Sequence, residues 1–353
     1  MRYLFVTSYP PTRCGIGAYA SQSVKKLRTE GHVVDTISPN NEGNVDFKCD
    51  LCGGFKALKL LKLGLFYDRM VIQYHPAFFF KSYDNISSKL QNLATNISLI
   101  LLFLLYWKKI EIVCHEIQYY DAKNVGWLKY ISYRLPWLLG PKLVFHTQKE
   151  LDYFRKKLFL GIGSKRLELR AHDRDFVKFR EISQQEARRE LGVPLDATVF
   201  LCIGFVQPHK GFDRAVTAFD AANPANARLY IVGSLRLTDD NTFRYRIFLR
   251  SLASHNPNIV IVEKFVSDQE FDTWISASDY VLAPYRVIWS SGVVARARLF
   301  GKKVIASEVG GLPDQLSAQD LLFVTDAELE TLIRRLTVPH DELSACGGST
   351  LLP

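Results

Sequence analysis

The sequence lacks an apolar run long enough to cross a lipid bilayer. Its longest run, ISLILLFLLYW, extends from Ile97 to Trp107, whereas a membrane-spanning helix needs about 20 apolar residues. The run is therefore predicted to form a buried helix rather than a transmembrane one. Because Lys108 and Lys109 follow it directly, contact with a membrane interface stays open as the alternative.

Cysteine is scarce, and its spacing argues against a metal site. Among six cysteines, Cys49 and Cys52 form a C-x-x-C pair without a second pair to complete a zinc site. We therefore expect packed, reduced thiols and neither a metal nor another cofactor. The sequence also has no fixed-period repeat and no low-complexity tract, so a solenoid is not expected.

Acidic residues are outnumbered, 36 against 45 basic ones, which gives a net charge of +9. There is no nucleic-acid recognition motif, so the basic surface predicts a partner other than nucleic acid, such as anionic lipid or an acidic polysaccharide. One basic cluster lies between Arg155 and Arg170. The opening residues, MRYLFVTSYP, suit a buried strand better than a secretory signal. We therefore expect a cytoplasmic protein that associates with the cytoplasmic face of the membrane.

Continuously apolar, strand-like runs alternate with helix-like segments along the whole chain. This pattern is typical of parallel sheets covered on both faces, and it occurs twice. It predicts an α/β fold with two Rossmann-like, doubly wound domains, residues 1–180 and 181–353. Ser183 and Glu186 have the spacing of a capping box that opens the second domain.

The first candidate loop is SYPPTRCGIGAYA, which follows the first predicted strand. Gly15 and Gly17 allow backbone N–H groups to approach an anion at the start of a helix. The spacing also resembles a dinucleotide fingerprint, with Ala20 in the third glycine position and Asp35 further on. A nicotinamide-dependent enzyme is therefore one alternative, and a glycine-rich turn without a ligand is another.

A second candidate loop, GFVQPHKGFD, follows the first strand of the second domain. Lys210 stands beside Gly211 at a predicted helix start, where an ammonium group could neutralise a diphosphate. The alternative is a surface lysine in a turn.

A third candidate loop begins where Pro284 ends a strand. Ser290 and Ser291 suit the cap of the next helix, and Gly292 leaves the N–H groups of its first turn accessible to a phosphate. Arg286 lies on the approach to this helix, and its planar guanidinium suits a pair of phosphate oxygens. An ordinary capped helix is the alternative.

Histidines end three predicted strands of the first domain, at His75, His115 and His146. A single histidine is more often structural than functional, but three at one sheet edge favour a site residue among them. His115, with Glu116 beside it, is the strongest candidate.

Together these stretches resemble the retaining GT-B glycosyltransferases of family 4, the glycosyl transferases group 1. PPTRCGIGAYA is similar to that family's N-terminal glycine loop, and GFVQPHKGFD to its diphosphate-binding motif. APYR followed by SSGVVARARLFGKKVIASEVGGLPD is similar to its most specific C-terminal motif. The resemblance extends from about Met1 to about Leu316.

The resemblance implies metal-independent transfer of a sugar, on family precedent glucose from a UDP-sugar, to a polysaccharide or lipid-linked acceptor. The first domain would bind the acceptor and the second the donor, with His115, Lys210 and Glu116 as catalytic residues. Lys210 would hold the diphosphate, the N–H groups of Ser291 to Val293 the terminal phosphate, and His115 the sugar. The candidate nucleotide-sugar-binding residues are Gly15, Gly17, Phe205, Gln207, Lys210, Phe265, Val266, Arg286, Ser290, Ser291, Gly292, Val293 and Arg296.

The sequence departs from the family pattern at three positions of the expected nucleotide-sugar site. Two glutamates are common in the family, and Ile288 and Arg296 occupy their positions; Phe205 replaces a frequent arginine. Because the phosphate-binding parts remain, we expect a working transferase in which Arg296 aids the binding of an anion. A non-catalytic binding or scaffold protein on the same fold is the alternative. The D-x-D match from Asp173 to Asp175 falls in the predicted linker and is not expected to bind metal.

Overall fold

A computed structural model describes residues 1–82, 84–115, 141–157, 166–236 and 239–338. The chain divides into two compact units, Met1–Val177 and Lys178–Pro353. Each unit contains one sheet with parallel strand pairs, of seven strands in the first and six in the second. The predicted α/β fold with two Rossmann-like domains is therefore confirmed.

The sheet of the first unit has its strands in a doubly wound arrangement. They are β1 (Arg2–Val6), β2 (Val33–Ser38), β3 (Phe47–Lys48), β4 (Arg69–Tyr74), β5 (Ile110–Cys114), β6 (Lys142–Phe145) and β7 (Leu167–Leu169). Their order across the sheet is β3-β2-β1-β4-β5-β6-β7. The register places Val6 beside both Ile37 and Ile72, so the apolar centres of three strands lie side by side.

Helices and short 3-10 turns connect these strands. The helices are α1 (Gly15–Thr29), α2 (Lys59–Gly64), α3 (Ile86–Leu105) and α4 (Gln148–Lys157), and the 3-10 turns are Lys56–Leu58, Pro76–Phe78 and His172–Asp175. The main core of this unit packs Leu4, Ile72 and Ile112 of the sheet with Leu102 and Phe103 of α3. This burial fixes α3 to the sheet.

Helix α3 differs from the helix predicted between Ile97 and Trp107. It begins earlier because Asn85 caps it, its side-chain oxygen accepting a hydrogen bond from the Ser88 N–H at 2.8 Å. By length and composition it could cross a membrane, and it is the one such helix in the described part of the chain. The expectation of a buried helix is wrong for one face: Leu101 is 42% exposed, although Leu99 is 1% exposed.

The sheet of the second unit has the strand order of a Rossmann fold. Its strands are β8 (Thr198–Ile203), β9 (Ala227–Gly233), β10 (Ile259–Glu263), β11 (Tyr280–Ala283), β12 (Lys303–Ser307) and β13 (Leu321–Phe323). Their order is β10-β9-β8-β11-β12-β13, which reverses direction between β8 and β11. Ligands of open α/β sheets bind where the strand order reverses, at the carboxyl ends of the strands.

Seven helices pack around the second sheet in the described residues. They are α5 (Gln184–Leu191), α6 (Phe212–Ala222), α7 (Asp240–Ala253), α8 (Asp268–Ala277), α9 (Gly292–Leu299), α10 (Leu312–Gln315) and α11 (Asp326–Thr337), with a 3-10 turn at Pro208–Lys210. The predicted capping box is confirmed at the start of α5, where the Ser183 side chain accepts from the Glu186 N–H and the Glu186 side chain accepts from the Ser183 N–H.

Candidate active site

The loops after β8 and β11 meet because these two strands are neighbours in the sheet. The Arg286 N–H donates a hydrogen bond to the His209 carbonyl oxygen at 2.8 Å and so joins the two loops. Gly211 permits their close approach: its φ is +62°, and a Cβ there would lie 2.1 Å from the Pro284 carbonyl oxygen. The two predicted binding loops are therefore one structural element.

Lys210 and Tyr285 are in direct contact within this element. The Lys210 Nζ lies 3.9 Å from the centre of the Tyr285 ring, which is completely buried. The Tyr285 hydroxyl lies 3.4 Å from the Ser291 Oγ. Tyr285 therefore connects the lysine to the start of α9. We did not select it from the sequence, although its place between Pro284 and Arg286 was a usable signal.

The charge of Lys210 is not neutralised by any described residue of the second unit. Within the described ranges no carboxylate forms an ion pair with its ammonium group. Burial lowers the pKa of Lys210 to about 8, because the ammonium form loses hydration there. Most of the lysine remains protonated at neutral pH, so this place favours an incoming anion.

The first turn of α9 supplies further positive potential. The Ser291 Oγ accepts a hydrogen bond from the Val294 N–H at 3.3 Å, which confirms that this serine caps the helix, and Ser290 precedes it. The Ser291 N–H donates to the Gln315 side chain at 2.6 Å and is unavailable for the predicted phosphate contact. The N–H groups of Gly292 and Val293 have no acceptor among the described residues.

Arg286 is engaged by a carboxylate rather than directed at a free site. Its guanidinium donates to both carboxylate oxygens of Asp213, at 2.8 and 2.6 Å, and to the Pro208 carbonyl oxygen at 2.9 Å. This bidentate pair ties the β11 loop to the first turn of α6. The geometry thus gives Arg286 a bracing role, and its phosphate contact stays a prediction.

Arg296 is buried, with a side chain only 6% exposed. It donates to the Asp272 carboxylate at 2.6 Å and to the Asp268 carboxylate at 2.7 Å. Its guanidinium also lies over the rings of Phe179 and Phe271. We predicted that this arginine would aid nucleotide binding, but its hydrogen-bonding groups are used inside the domain.

The remaining candidates of the second unit lie at the same sheet edge. Gln207 is buried and precedes the 3-10 turn that carries Lys210, and Phe205 is half-buried in the same loop. Phe265 and Val266 follow β10, two strands away from β8, or about 10 Å at the usual strand spacing. Phe265 is 48% exposed, so its ring is accessible to a ligand.

The glycine loop of the first unit opens α1 at Gly15, as predicted. A Cβ at Gly17 would lie 3.0 Å from the Ser8 carbonyl oxygen, so this glycine packs the helix against the end of β1. Gly17 therefore has a structural role that needs no ligand.

The predicted histidines separate into two groups. The His115 Nε2 and the Gln73 Oε1 are 2.6 Å apart, and the His115 ring lies 5.9 Å from the ring of His146. His75 instead caps the 3-10 turn that follows it, its Nδ1 accepting from the Ala77 N–H. Burial lowers the pKa of His115, helped by neighbouring His146 and His75, so His115 is neutral at neutral pH.

Two further side chains near His115 and His146 were not predicted from the sequence. His172 stacks on His146 at 4.3 Å, and the Tyr19 ring lies 4.8 Å from His172. The Tyr19 hydroxyl donates to Asp175, which belongs to the D-x-D match. Glu116, the predicted partner of His115, lies outside the described residues.

The two-unit architecture is similar to several solved glycosyltransferase structures. Anabaena HepE in complex with UDP and glucose aligns with a TM-score of 0.66 and 13% identity, over 95% of this chain and 89% of that one. WaaG, a glycosyltransferase involved in lipopolysaccharide biosynthesis, aligns with a TM-score of 0.65 and 17% identity, over 98% and 92%. The fold is therefore that of the GT-B glycosyltransferases.

Sequence comparison identifies the second unit more closely. Residues 183–337 match the family model for glycosyl transferases group 1. The chain is 30% identical over 139 residues to D-inositol 3-phosphate glycosyltransferase of Thermobispora bispora, across 38% of this chain and 32% of the relative. A second such enzyme, from Catenulispora acidiphila, is 30% identical over 144 residues, across 39% and 34%. The chain spans about a third of the length of these curated relatives. Most of the second unit is therefore similar to a glycosyl transferases group 1 domain.

Proposed function

We propose that the protein is a retaining glycosyltransferase that moves a sugar from a nucleotide-sugar donor to a polysaccharide or lipid-linked acceptor. The observation that carries this proposal is the Lys210 ammonium group, which lacks a carboxylate partner in the described ranges and contacts the ring of Tyr285. Tyr285 in turn contacts Ser291, the cap of α9. A cation and the N–H groups of the first turn of α9 thus belong to one structural element, which suits a diphosphate.

The chemistry follows from the charge that develops during transfer. When the bond between the sugar and the diphosphate breaks, negative charge accumulates on the leaving diphosphate. Lys210 and the N–H groups of Gly292 and Val293 would stabilise this charge without reorganising, which lowers the barrier. In this proposal they supply the positive charge that other transferases obtain from a divalent metal, so transfer needs no metal.

The donor is proposed to be UDP-glucose. Support comes from the structural neighbour HepE, which has been solved in complex with UDP and with UDP-glucose. Phe265 and Val266 are proposed to contact the base. In the first unit, which is proposed to bind the acceptor, neutral His115 would contact the transferred sugar through its Nδ1, because its Nε2 is paired with the Gln73 Oε1.

A non-catalytic sugar-nucleotide-binding protein is the second candidate. It is favoured by Arg296, which replaces an acid expected at the nucleotide and is held by Asp268 and Asp272. Such a protein would bind a donor without turning it over. Its affinity would then depend on the same lysine as catalysis does in the first proposal.

Donor binding and donor turnover, measured on the same preparation, distinguish these proposals. Calorimetry with UDP and UDP-glucose reports binding, and release of UDP from UDP-glucose reports turnover, with and without polysaccharide acceptors. We expect both binding and slow hydrolysis without an acceptor, because water can replace it. Binding without UDP release in any mixture would instead establish the scaffold. A Tm raised by nicotinamide dinucleotide and not by UDP would contradict both.

A further inference from the structure

Helix α3 buries many polar side chains and exposes many apolar ones. Its buried positions include polar side chains, those of Ser88, Asn92, Thr95, Asn96 and Ser98. Beyond Lys89 its exposed positions are apolar, between 42% and 67% exposed at Leu90, Leu93, Ile97, Leu101, Leu104 and Leu105. The spacing of three and four residues places these six side chains in one stripe. Water is a poor solvent for such a face, so the stripe indicates a contact with an apolar phase or partner.

The polar side of α3 is firmly held by the first unit. The Asn92 side chain donates to the Lys81 carbonyl oxygen at 3.0 Å and accepts from the Lys81 N–H at 2.8 Å. The Thr95 hydroxyl donates to the Gly54 carbonyl oxygen at 3.2 Å. With Leu102 and Phe103 fully buried in the same helix, α3 cannot leave the unit to cross a bilayer without dismantling its core. Any contact made by the exposed stripe must therefore be made while α3 stays packed on the first unit.

A second exposed apolar set lies beside the C-terminal half of α3. The Tyr106 hydroxyl, just after α3, donates to the Leu61 carbonyl oxygen of α2 at 2.7 Å. Leu65 and Phe66 follow α2 directly and are 69% and 64% exposed. The end of α2 therefore lies beside the residue that follows α3, and its exposed apolar side chains are near the C-terminal end of α3.

The charges within the two segments that carry this surface have one sign, although the exposed Asp68 and Asp84 adjoin them. The segments 55–66 and 85–109 contain six lysines and neither aspartate nor glutamate; the lysines are Lys56, Lys59, Lys62, Lys89, Lys108 and Lys109. Of these, Lys56 pairs with Asp50, and Lys109 donates to backbone carbonyl oxygens. The other four are exposed. An apolar stripe bordered by exposed lysines complements the acyl chains and anionic headgroups of a membrane surface.

We propose that α3 and the end of α2 form a membrane-docking surface, with α3 lying in the interface of a bilayer that contains anionic lipid. The leucine stripe enters the boundary between headgroups and acyl chains, and Lys59, Lys62, Lys89 and Lys108 contact lipid phosphates. This contact is independent of the donor chemistry, because none of its residues belongs to the loops around Lys210. It gives the protein a peripheral attachment that leaves the fold intact.

Co-sedimentation of the full chain with vesicles tests this surface. Vesicles of phosphatidylcholine with roughly 30% phosphatidylglycerol, which carry a negative surface potential, are compared with pure phosphatidylcholine. We expect binding to the anionic vesicles that weakens with added salt. The double variant Leu93→Gln, Leu101→Gln should lower the partition coefficient by roughly tenfold or more, since it removes apolar area from the bilayer contact. Lys89→Gln with Lys108→Gln should lower it by roughly tenfold, and mainly on anionic vesicles.

A matched control is available in the second unit. Leu322 and Val324 are 43% and 63% exposed and lie beside acidic Asp320 and Asp326. The double variant Leu322→Gln, Val324→Gln should bind vesicles like the wild type. Circular dichroism should show all variants folded, because every replaced side chain is exposed.

Three results would overturn the proposal. The first is a wild-type protein that binds neither kind of vesicle, and the second is equal vesicle binding by wild type and the leucine variant. The third is a wild-type dimer, seen by sedimentation velocity, that the leucine variant dissociates while vesicles bind neither protein; a second copy would then cover the stripe. Turnover of UDP-glucose in detergent-free solution is expected to be unchanged in the leucine variant. A failure of the membrane-docking proposal can therefore be distinguished from a failure of the proposed transferase activity.

Discussion

Two cations of the second unit occupy opposite environments, although the sequence suggested the same role for both. Lys210 contacts a tyrosine ring and has no carboxylate partner within the described ranges, whereas Arg296 is held by Asp272 and Asp268. A buried charge requires compensation. Where the domain supplies the counter-charge, as at buried Arg296, the cation becomes part of the scaffold. Where it does not, as at half-buried Lys210, the site favours an anionic ligand.

Arg296→Glu should produce the largest effect. A carboxylate at this position would face Asp268 and Asp272 with no cation between them, and Asp272 is completely buried. We expect a loss of about 3–5 kcal/mol in the free energy of unfolding, as when one partner of a buried pair is removed. Urea denaturation measures it. The exposed Arg335 is a control, because Arg335→Glu should change stability by less than about 0.5 kcal/mol. Equal stability of wild type and Arg296→Glu would show that the ion pairs contribute nothing.

Lys210→Ala should have the opposite pattern of effects, with a large loss of activity and little loss of stability. Removing the group that is proposed to stabilise the leaving diphosphate should lower kcat roughly a hundredfold or more, with little change in stability because no ion pair of the described residues depends on this lysine. The rate of UDP release from the donor is the measurement. Lys303→Ala, at the amino end of β12 and exposed, should keep wild-type activity. Wild-type turnover in Lys210→Ala would reject the diphosphate role.

The histidine cluster of the first unit shows a third way of accommodating a buried ionisable side chain, in which burial keeps the side chain uncharged. Burial lowers the pKa of His146 to about 4, while an unfolded histidine titrates near 6.5. The unfolded chain therefore binds the proton first, so stability is complete above pH 6.5 and falls as the pH decreases towards 4. Glu150 opposes this trend, because burial raises its pKa to about 7 and its contribution falls as the pH rises.

A variant isolates the histidine contribution from that of Glu150. Between pH 7 and pH 4 the wild type should lose roughly 2–3 kcal/mol of unfolding free energy relative to His146→Phe. Denaturation curves of both proteins across this range provide the difference. A difference that stays constant with pH would show that His146 titrates alike in the folded and unfolded states.

The Arg286–Asp213 pair should give the smallest effect, because the Arg286 side chain is 43% exposed. We expect Arg286→Met to lower the unfolding free energy by about 1 kcal/mol or less and to affect kcat far less than Lys210→Ala does. Urea denaturation and UDP release measure the two effects. A loss of kcat as large as that of Lys210→Ala would instead support the predicted contact between Arg286 and a phosphate.

Patterns that depend on neighbouring residues were predictable from the sequence. Apolar strand runs predicted both parallel sheets, and Ser183 with Glu186 predicted a cap. The environments of Arg286 and Arg296 were not predictable, because their partners are distant: Asp213 is 73 positions away and Asp272 is 24 away. The prediction for helix α3 was wrong for a different reason. Its hydrophobicity predicted burial, but asparagine, threonine and serine occupy most of the buried face, so most of its leucines point outward.

The ring of Tyr285 has a consequence for proton linkage. An aromatic face attracts the lysine ammonium group without donating or accepting a proton, so the ionisation of Lys210 remains free to respond to its ligand. With a pKa of about 8, part of the Lys210 population is neutral in mildly alkaline solution. If the proposed diphosphate binds there, it draws a proton from the buffer on binding, and its affinity declines as alkalinity increases.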